Sequence, residues 1–274
     1  MQDDTIQLNS GVHIPRVGFG TWHLTGETAQ TAISTALSVG YRHIDTADRY
    51  GNHEDVAAAL NNSEQMREDV FITTKLWFDT LSYDDVHAAT ERFLNELQTT
   101  YIDQLLIHWP NRDIPMQETL TAMQELTDTG KVRSLGVSNC TVNHIRDALE
   151  TGVTIDVNQV EMHPTLNQTE LKQFCDEHGI IITAYSPNGQ GHDLQQPVIQ
   201  ELAQQYGRPP AQIVLSWLLA KGIVIIPRSS NPEHIEENFR AQEFLLTDEE
   251  VARIDAIEEQ DNRLVVREFS DFEY

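Results

Sequence analysis

Eight short runs rich in Val, Ile and Leu alternate along the chain with longer stretches of helical pattern. The runs are VGFGTW (17–22), HIDTA (43–47), VFITTKL (70–76), IDQLLIHW (102–109), VRSLGVSN (132–139), VNQVEMH (157–163), GIIITAYS (179–186) and GIVIIPRS (222–229). Near-continuous apolar strands are what parallel strands covered on the outside require. Helical stripes lie between them. Ser82 caps one, with Asp85 three residues on and Val86, Ala89, Phe93 and Leu97 following. Met116, Leu120, Met123 and Leu126 form a second, ending near Gly130. Leu171, Phe174, Cys175 and His178 form a third, and Pro209-Pro210 open a fourth through Ile213, Val214, Trp217 and Leu218. Eight strand–helix units in 274 residues predict a single (β/α)8 TIM barrel domain over 1–274. The opening alternates apolar and polar residues around Ser10-Gly11, which predicts a β-hairpin closing the barrel bottom. The competing fold, an open doubly wound sheet, wants a G-x-G-x-x-G turn. The nearest match, GFGTWH at 18–23, lacks the third glycine and opens no helix.

Charge excludes several functions. Eighteen basic against 43 acidic residues leave a net charge of −25, spread over helix faces such as DEEVARIDAIEE (248–259). Nucleic acid and anionic membranes are repelled by such a surface. Acid this dense suggests a halophilic source with a salt-screened interior, against the plainer reading of an ordinary acidic enzyme. No apolar run approaches a membrane span, and the N-terminus lacks the basic-then-apolar pattern of a secretory signal, so a cytoplasmic location is expected. Cys140 and Cys175 have no metal spacing and read as free, buried thiols. No apolar surface stripe calls for a partner, so a monomer is expected.

Barrel enzymes place chemistry at the C-terminal ends of their strands. Asp45 and Tyr50 follow the second run, Lys75 ends the third and His108 ends the fourth. Singly, each has a plain structural role: the Asp a cap, the His a satisfied core residue, the Lys a solvated charge. Together they make a proton-donor relay. A phenol titrates near pH 10 and is a poor acid in water, and an adjacent ammonium favours its ionised form. The carboxylate holds the ammonium, and the imidazole orients a substrate oxygen. That is the chemistry needed where an alkoxide develops from a carbonyl. A metal-dependent hydrolase built on His43 and Asp45 would need a second ligand pair, which the sequence does not offer.

GYRHIDTADRYGN, TTKLW, LLIHWP, GVSN, NQVEMHP, AYSPNGQG and IPRSSNPEHIEEN together resemble, in order and over essentially the whole chain, the aldo-keto reductase family. The resemblance implies NAD(P)H-dependent reduction of aldehydes and ketones by direct hydride transfer, without a metal. It implies Asp45, Tyr50, Lys75 and His108 as the catalytic tetrad, with Tyr50 the proton donor. It implies Ser138, Asn139 and Gln159 on the carboxamide of the cofactor and Tyr185 stacked on the nicotinamide. Ser186 and Gly189 belong with the pyrophosphate, and Arg228, Ser229, Ser230, His234, Glu237 and Asn238 with the adenosine end. The alternative within the same resemblance is a non-catalytic, nucleotide-binding barrel that senses redox state.

The sequence departs from the family pattern in places. Arg228 stands where Lys is usual and His234 where Arg is usual, both at the 2′-phosphate grip of NADPH. NADPH is therefore the expected cofactor, with its preference weakened and NADH use left open. His53 stands where Glu usually follows Asn52, and reads as surface drift. Cys140 and Asn188 replace an aromatic and a Leu. Trp22, Trp77 and Trp109 are expected to line a substrate pocket, with Phe19 or Tyr50 nearby. That aromatic cup suits a small carbonyl substrate, an aldehyde or α-dicarbonyl, more than a highly charged one. Short loops at this rim resemble the prokaryotic diketo-acid and methylglyoxal-type reductases. Arg112 and Arg267 read first as surface ion-pair partners, with recognition of a substrate carboxylate as the other reading.

Overall fold

The structure, a computed structural model, describes residues 4–260 and 263–274. Residues 1–3 and 261–262, which the sequence reading includes in its one domain, lie outside the described residues. The chain opens with β1 (Thr5–Gln7) and β2 (His13–Pro15), an antiparallel pair in which Ile6 faces Ile14. Then come β3 (Phe19–Gly20), α1 (Gly26–Val39), β4 (His43–Asp45), α2 (His53–Asn61), β5 (Phe71–Leu76), α3 (Tyr83–Glu96), β6 (Ile102–Ile107) and α4 (Met116–Asp128). These are followed by β7 (Val132–Ser138), α5 (Val142–Glu150), β8 (Val157–Glu161), α6 (Thr169–Glu177) and β9 (Ile181–Tyr185). Two helices, α7 (Pro197–Tyr206) and α8 (Pro210–Ala220), precede β10 (Val224–Ile225), and α9 (Pro232–Phe239) and α10 (Asp248–Asp255) follow it.

Strands β3 to β10 form one all-parallel sheet in sequence order, so every crossover passes through helix. The sheet curls until its edges meet. Gly18 N–H donates to Ile225 O at 2.8 Å, Ile225 N–H to Arg16 O at 3.0 Å, and Gly20 N–H to Pro227 O at 3.1 Å. The glycines of GFG serve this seam. A Cβ on Gly20 would stand 2.7 Å from Ile226 O, closer than any side chain can come. The motif that looked like part of a phosphate fingerprint is a close backbone approach.

All eight expected strands are present, although the hydrogen-bonded ladders are shorter than the apolar runs. Residues 21–22, 108–109 and 226–229 lie beyond the strand residues, at the C-terminal rim. The helical stripes also hold. Ser82 Oγ accepts the Asp85 N–H, and Trp217 is fully buried with its indole N–H donated to Asp255. Fully burying one large apolar side chain contributes about 1.5–3 kcal/mol, and the layer between sheet and helices is made of such residues. The hairpin contributes Leu8 and Ile14 to a second buried cluster with Phe71, Val157 and Val224, each the first residue of its strand.

Candidate active site

The C-terminal strand ends gather the expected tetrad. Asp45 ends β4, Lys75 is the penultimate residue of β5, and His108 follows β6. Tyr50 lies in a single helical turn, Asp48–Tyr50, between β4 and α2. Lys75 Nζ is 2.6 Å from Asp45 Oδ1 and donates to Thr46 O at 2.8 Å. Gln159 Nε2 holds the other carboxylate oxygen at 2.7 Å. The ammonium sits 5.1 Å from the Tyr50 ring centroid. The His108 ring meets the Tyr50 ring edge-on at 5.8 Å, and Trp77 at 5.1 Å.

The electrostatics differ from the expectation for Tyr50. Burial of its hydroxyl and the Asp45 charge push its pKa well above the ordinary phenol range, Tyr185 adds to this, and Arg267 opposes it. Tyr50 is therefore held as a neutral phenol. Burial, with Lys75 and Arg267 adding to it, drives His108 well below its usual pKa and leaves it a neutral imidazole. Burial lowers Lys75 and raises Asp45, and the attraction between them opposes both shifts.

Facing the tetrad is a hydrogen-bonded wall. Ser138 Oγ donates to Gln159 O at 2.7 Å, Asn139 Nδ2 donates to His108 O at 2.9 Å, and Tyr185 OH donates to Asn139 Oδ1 at 2.8 Å. Asn139 and Ser186 hold φ of 59° and 47°. A non-glycine residue in an unfavourable backbone region costs of order 1–3 kcal/mol, and such strain gathers at functional sites.

Tetrad and wall enclose a cleft of about 580 Å³ that also includes Trp22, Trp77, Trp109, Ser186, Asn188, Gln190 and Arg228. Arg228 hydrogen-bonds the carbonyls of Trp22 and His23 at 3.2 and 3.4 Å, and no acid pairs with it among the described residues. Asn188 Oδ1 is buried without a partner. An uncompensated guanidinium and an orphaned amide oxygen fit a polar, anionic ligand such as a dinucleotide. Ser229, Ser230, His234, Glu237 and Asn238 run outward from Arg228 on the following turn and α9, with Ser230 and His234 exposed and Ser229 and Asn238 buried. Gly189 lies behind the cleft, where φ of +55° and an Asp193 carboxyl 2.9 Å from any added Cβ both favour glycine.

Several sequence readings are corrected. His53 is no surface residue: it is 4% exposed, with Nδ1 2.7 Å from Glu96 and Nε2 2.8 Å from Thr74 Oγ1. Phe19 packs edge-on against Tyr41 in the core and does not line the cleft. Arg112 pairs with Asp271 at 2.8 Å as expected. Arg267 has no acid partner among the described residues and lines the cleft. His43 is a core residue bonded to Thr73 Oγ1, and burial drops its pKa to about 3. Among the described residues no three His, Cys, Asp or Glu side chains converge as a metal site. Both cysteines are buried, and burial raises both thiols, Cys175 to about 12.

Apart from Arg267, whose second reading was contact with a substrate, the segment after α10 escaped the sequence reading as a pocket wall. Phe269 stacks on Phe78 at 3.9 Å and meets Trp77 and Trp109 edge-on, while Val265 joins Arg267 in the lining. The segment is anchored on Glu161, whose carboxylate accepts the Leu264 and Val265 N–H groups at 2.7 and 3.0 Å. Behind Glu161 stands His163, 3.1 Å from it and 2.7 Å from Asp193. Burial alone would push His163 down, but its bonds to the two carboxylates outweigh this and bring its pKa to about 9.

The aldo/keto reductase family profile matches residues 16–259. The methylglyoxal reductase of Escherichia coli is 42% identical over 91% of this chain and 91% of that protein. The crystal structure of an aldo/keto reductase from Brucella melitensis superposes with a TM-score of 0.89 at 41% identity, over 93% of this chain and 98% of that one. A mutant of the protein Gox0644 solved in complex with NADPH superposes with a TM-score of 0.90 at 33% identity, over 96% of each chain. The curled parallel sheet, the matching profile over most of the length and these relatives lead to one conclusion: the chain belongs to the aldo/keto reductase family.

Proposed function

We propose that the protein reduces aldehydes and ketones to alcohols, with Tyr50 as the proton donor and NADPH preferred over NADH. The observation that carries this reading is the Lys75 ammonium, trapped by Asp45 and Thr46 beneath the face of the partly buried Tyr50 ring. The nicotinamide cofactor, when bound, supplies the hydride that reaches the carbonyl carbon. The carbonyl oxygen gains its proton from Tyr50, and the phenolate left behind is stabilised by Lys75 in a site shielded from water. His108, kept neutral, orients the carbonyl oxygen without adding a charge that would compete with the ammonium. Tyr185, Asn139, Ser138 and Gln159 make the wall against which a flat ring fits. Ser186 and Gly189 would serve its pyrophosphate, and Arg228 through Asn238 its adenosine end. The fork of Arg228 suits a 2′-phosphate, and exposed His234 is the weaker partner.

The family relatives include a glyoxal reductase and a methylglyoxal reductase, which supports small carbonyl substrates here. No described helix is long and apolar enough to cross a membrane, and the acid-rich surface disfavours nucleic acid. The reading is of a single-domain monomer in a cytoplasm of high salt.

The test is initial rates with NADPH and with NADH, on a small aromatic aldehyde and on methylglyoxal, at low and at molar salt. Turnover with higher kcat/KM for NADPH, rising with salt, is expected. Equal or better rates with NADH would keep the reductase and make His234 the specificity switch. Activity unaffected by removing salt would remove the halophilic reading. Cofactor binding without turnover in any condition would replace the reductase by the redox-sensing barrel.

A further inference from the structure

Three buried side chains take no part in the proposed reaction. Glu161 ends β8, His163 follows it, and Asp193 opens the short turn before α7, none of them more than 2% exposed. His163 Nδ1 is 2.7 Å from Asp193 Oδ2, and its Nε2 is 3.1 Å from Glu161 Oε1. A carboxylate only accepts, so each ring nitrogen must hold a proton and donate it. The imidazolium is shared between two carboxylates that would otherwise repel, and its pKa of about 9 keeps it charged at neutral pH.

Each carboxylate holds a different wall of the cleft. Asp193 ends the loop that begins at Ser186, and it also accepts the Thr165 N–H at 3.0 Å and the Thr165 hydroxyl at 2.8 Å. Its carboxyl lies so close to Gly189 that an added Cβ would stand 2.9 Å away. Tight backbone bonds stiffen this loop: Gly189 N–H to Ser186 O at 2.9 Å, Gly191 N–H to Asn188 O at 2.8 Å and His192 N–H to Gly189 O at 3.0 Å. Ser186, Asn188 and Gln190 of the loop line the cleft on the side assigned to the cofactor. Glu161, in turn, accepts the N–H groups of Leu264 and Val265. The strip beyond them brings Val265 and Arg267 into the lining and Phe269 against Trp77. His163 joins the two anchors.

We propose that Asp193, His163 and Glu161 are positioning residues that couple the two walls: a cofactor seated against the 186–193 loop tightens the 264–269 strip through them, and so shapes the pocket that the carbonyl enters. The proposal rests on the reading of that loop as the cofactor's and adds the route by which its occupancy reaches the substrate side. None of the three lines the cleft, so each acts through the backbone it holds. The route is two ion pairs in a site closed to water, where polar links are strong and leaving one unmade is costly. Coupling between two ligand sites typically changes affinity by about 5- to 150-fold.

The test is amide hydrogen exchange at Leu264 and Val265, with and without saturating NADPH. In the wild type, NADPH is expected to slow exchange at both amides about tenfold. Asp193→Asn removes the charge at the loop end and leaves the Glu161 grip on the strip. This variant should exchange like the wild type without NADPH and lose most of the slowing with it. Its KM for a small aldehyde should rise about tenfold while kcat, set at Tyr50, is retained. His163→Gln, whose one amide nitrogen cannot span both carboxylates, is the second variant and should lose the slowing as well. Equal slowing in the wild type and in both variants would overturn the proposal. So would faster exchange in Asp193→Asn already without NADPH, joined to equal losses in kcat and KM, since a merely structural carboxylate gives that result. NADPH that binds the wild type and leaves the strip unchanged sinks the coupling alone. Failure of the wild type to bind NADPH sinks the cofactor reading, and the coupling with it.

Discussion

Lys75 Nζ lies 2.6 Å from Asp45 Oδ1, and neither side chain is more than 2% exposed. Their burial is costly unless both charges stay paired. Removing one partner of a buried pair strands the other, at a cost of about 3–5 kcal/mol. Asp45→Asn is therefore expected to lower unfolding stability by that order as well as to depress turnover. Denaturant titration measures it, and a midpoint equal to the wild type would contradict the account.

The phenol of Tyr50 can be tested apart from stability. Its ring stays in Tyr50→Phe, so packing against Lys75 and His108 is kept and cofactor affinity should hold. Positioned proton donors contribute about 10²–10⁴ in rate, and kcat should fall by that range. Fluorescence titration with NADPH and steady-state rates give both numbers. A variant that keeps more than half the wild-type kcat would remove Tyr50 from the role proposed for it.

His163 makes stability depend on alkaline pH. Its pKa rises from 6.5 to about 9 on folding, between the carboxylates of Glu161 and Asp193. The stabilisation is complete below pH 6.5, where the unfolded side chain is also charged, and is lost as pH rises through about 9. At about 1.4 kcal/mol per pKa unit it amounts to something on the order of 3 kcal/mol. Unfolding free energies compared at pH 6 and pH 10 should show that loss in the wild type and little of it in His163→Gln. Parallel curves for the two proteins would refute the assignment.

The sequence revealed most of the barrel because each buried parallel strand is apolar on both faces, so the runs stand out without alternation. Asp45, Lys75 and His108 were legible because the ends of those runs locate the rim. Tyr50 followed from its distance to Asp45. What stayed hidden depends on partners distant in the chain. His53 looked exposed because nothing local announces Glu96 and Thr74, the groups that receive it. The pocket wall of Val265, Arg267 and Phe269 has no periodicity of its own, and its anchor, Glu161, is 103 residues before Leu264. The raised pKa of Tyr50 was missed for another reason: burial, its largest cause, leaves no mark in the sequence.

The anchoring of residues 264 and 265 on Glu161 separates two inheritances. Asp45, Lys75 and His108 stand on strands or their immediate ends, where a change disturbs the whole sheet. Val265, Arg267 and Phe269, on the other side of the pocket, ride on a strip that Glu161 grips by its backbone N–H groups, whatever side chains it bears. Side chains on that strip can thus be exchanged without loosening its hold on the barrel, while the strand ends beneath it stay as they are.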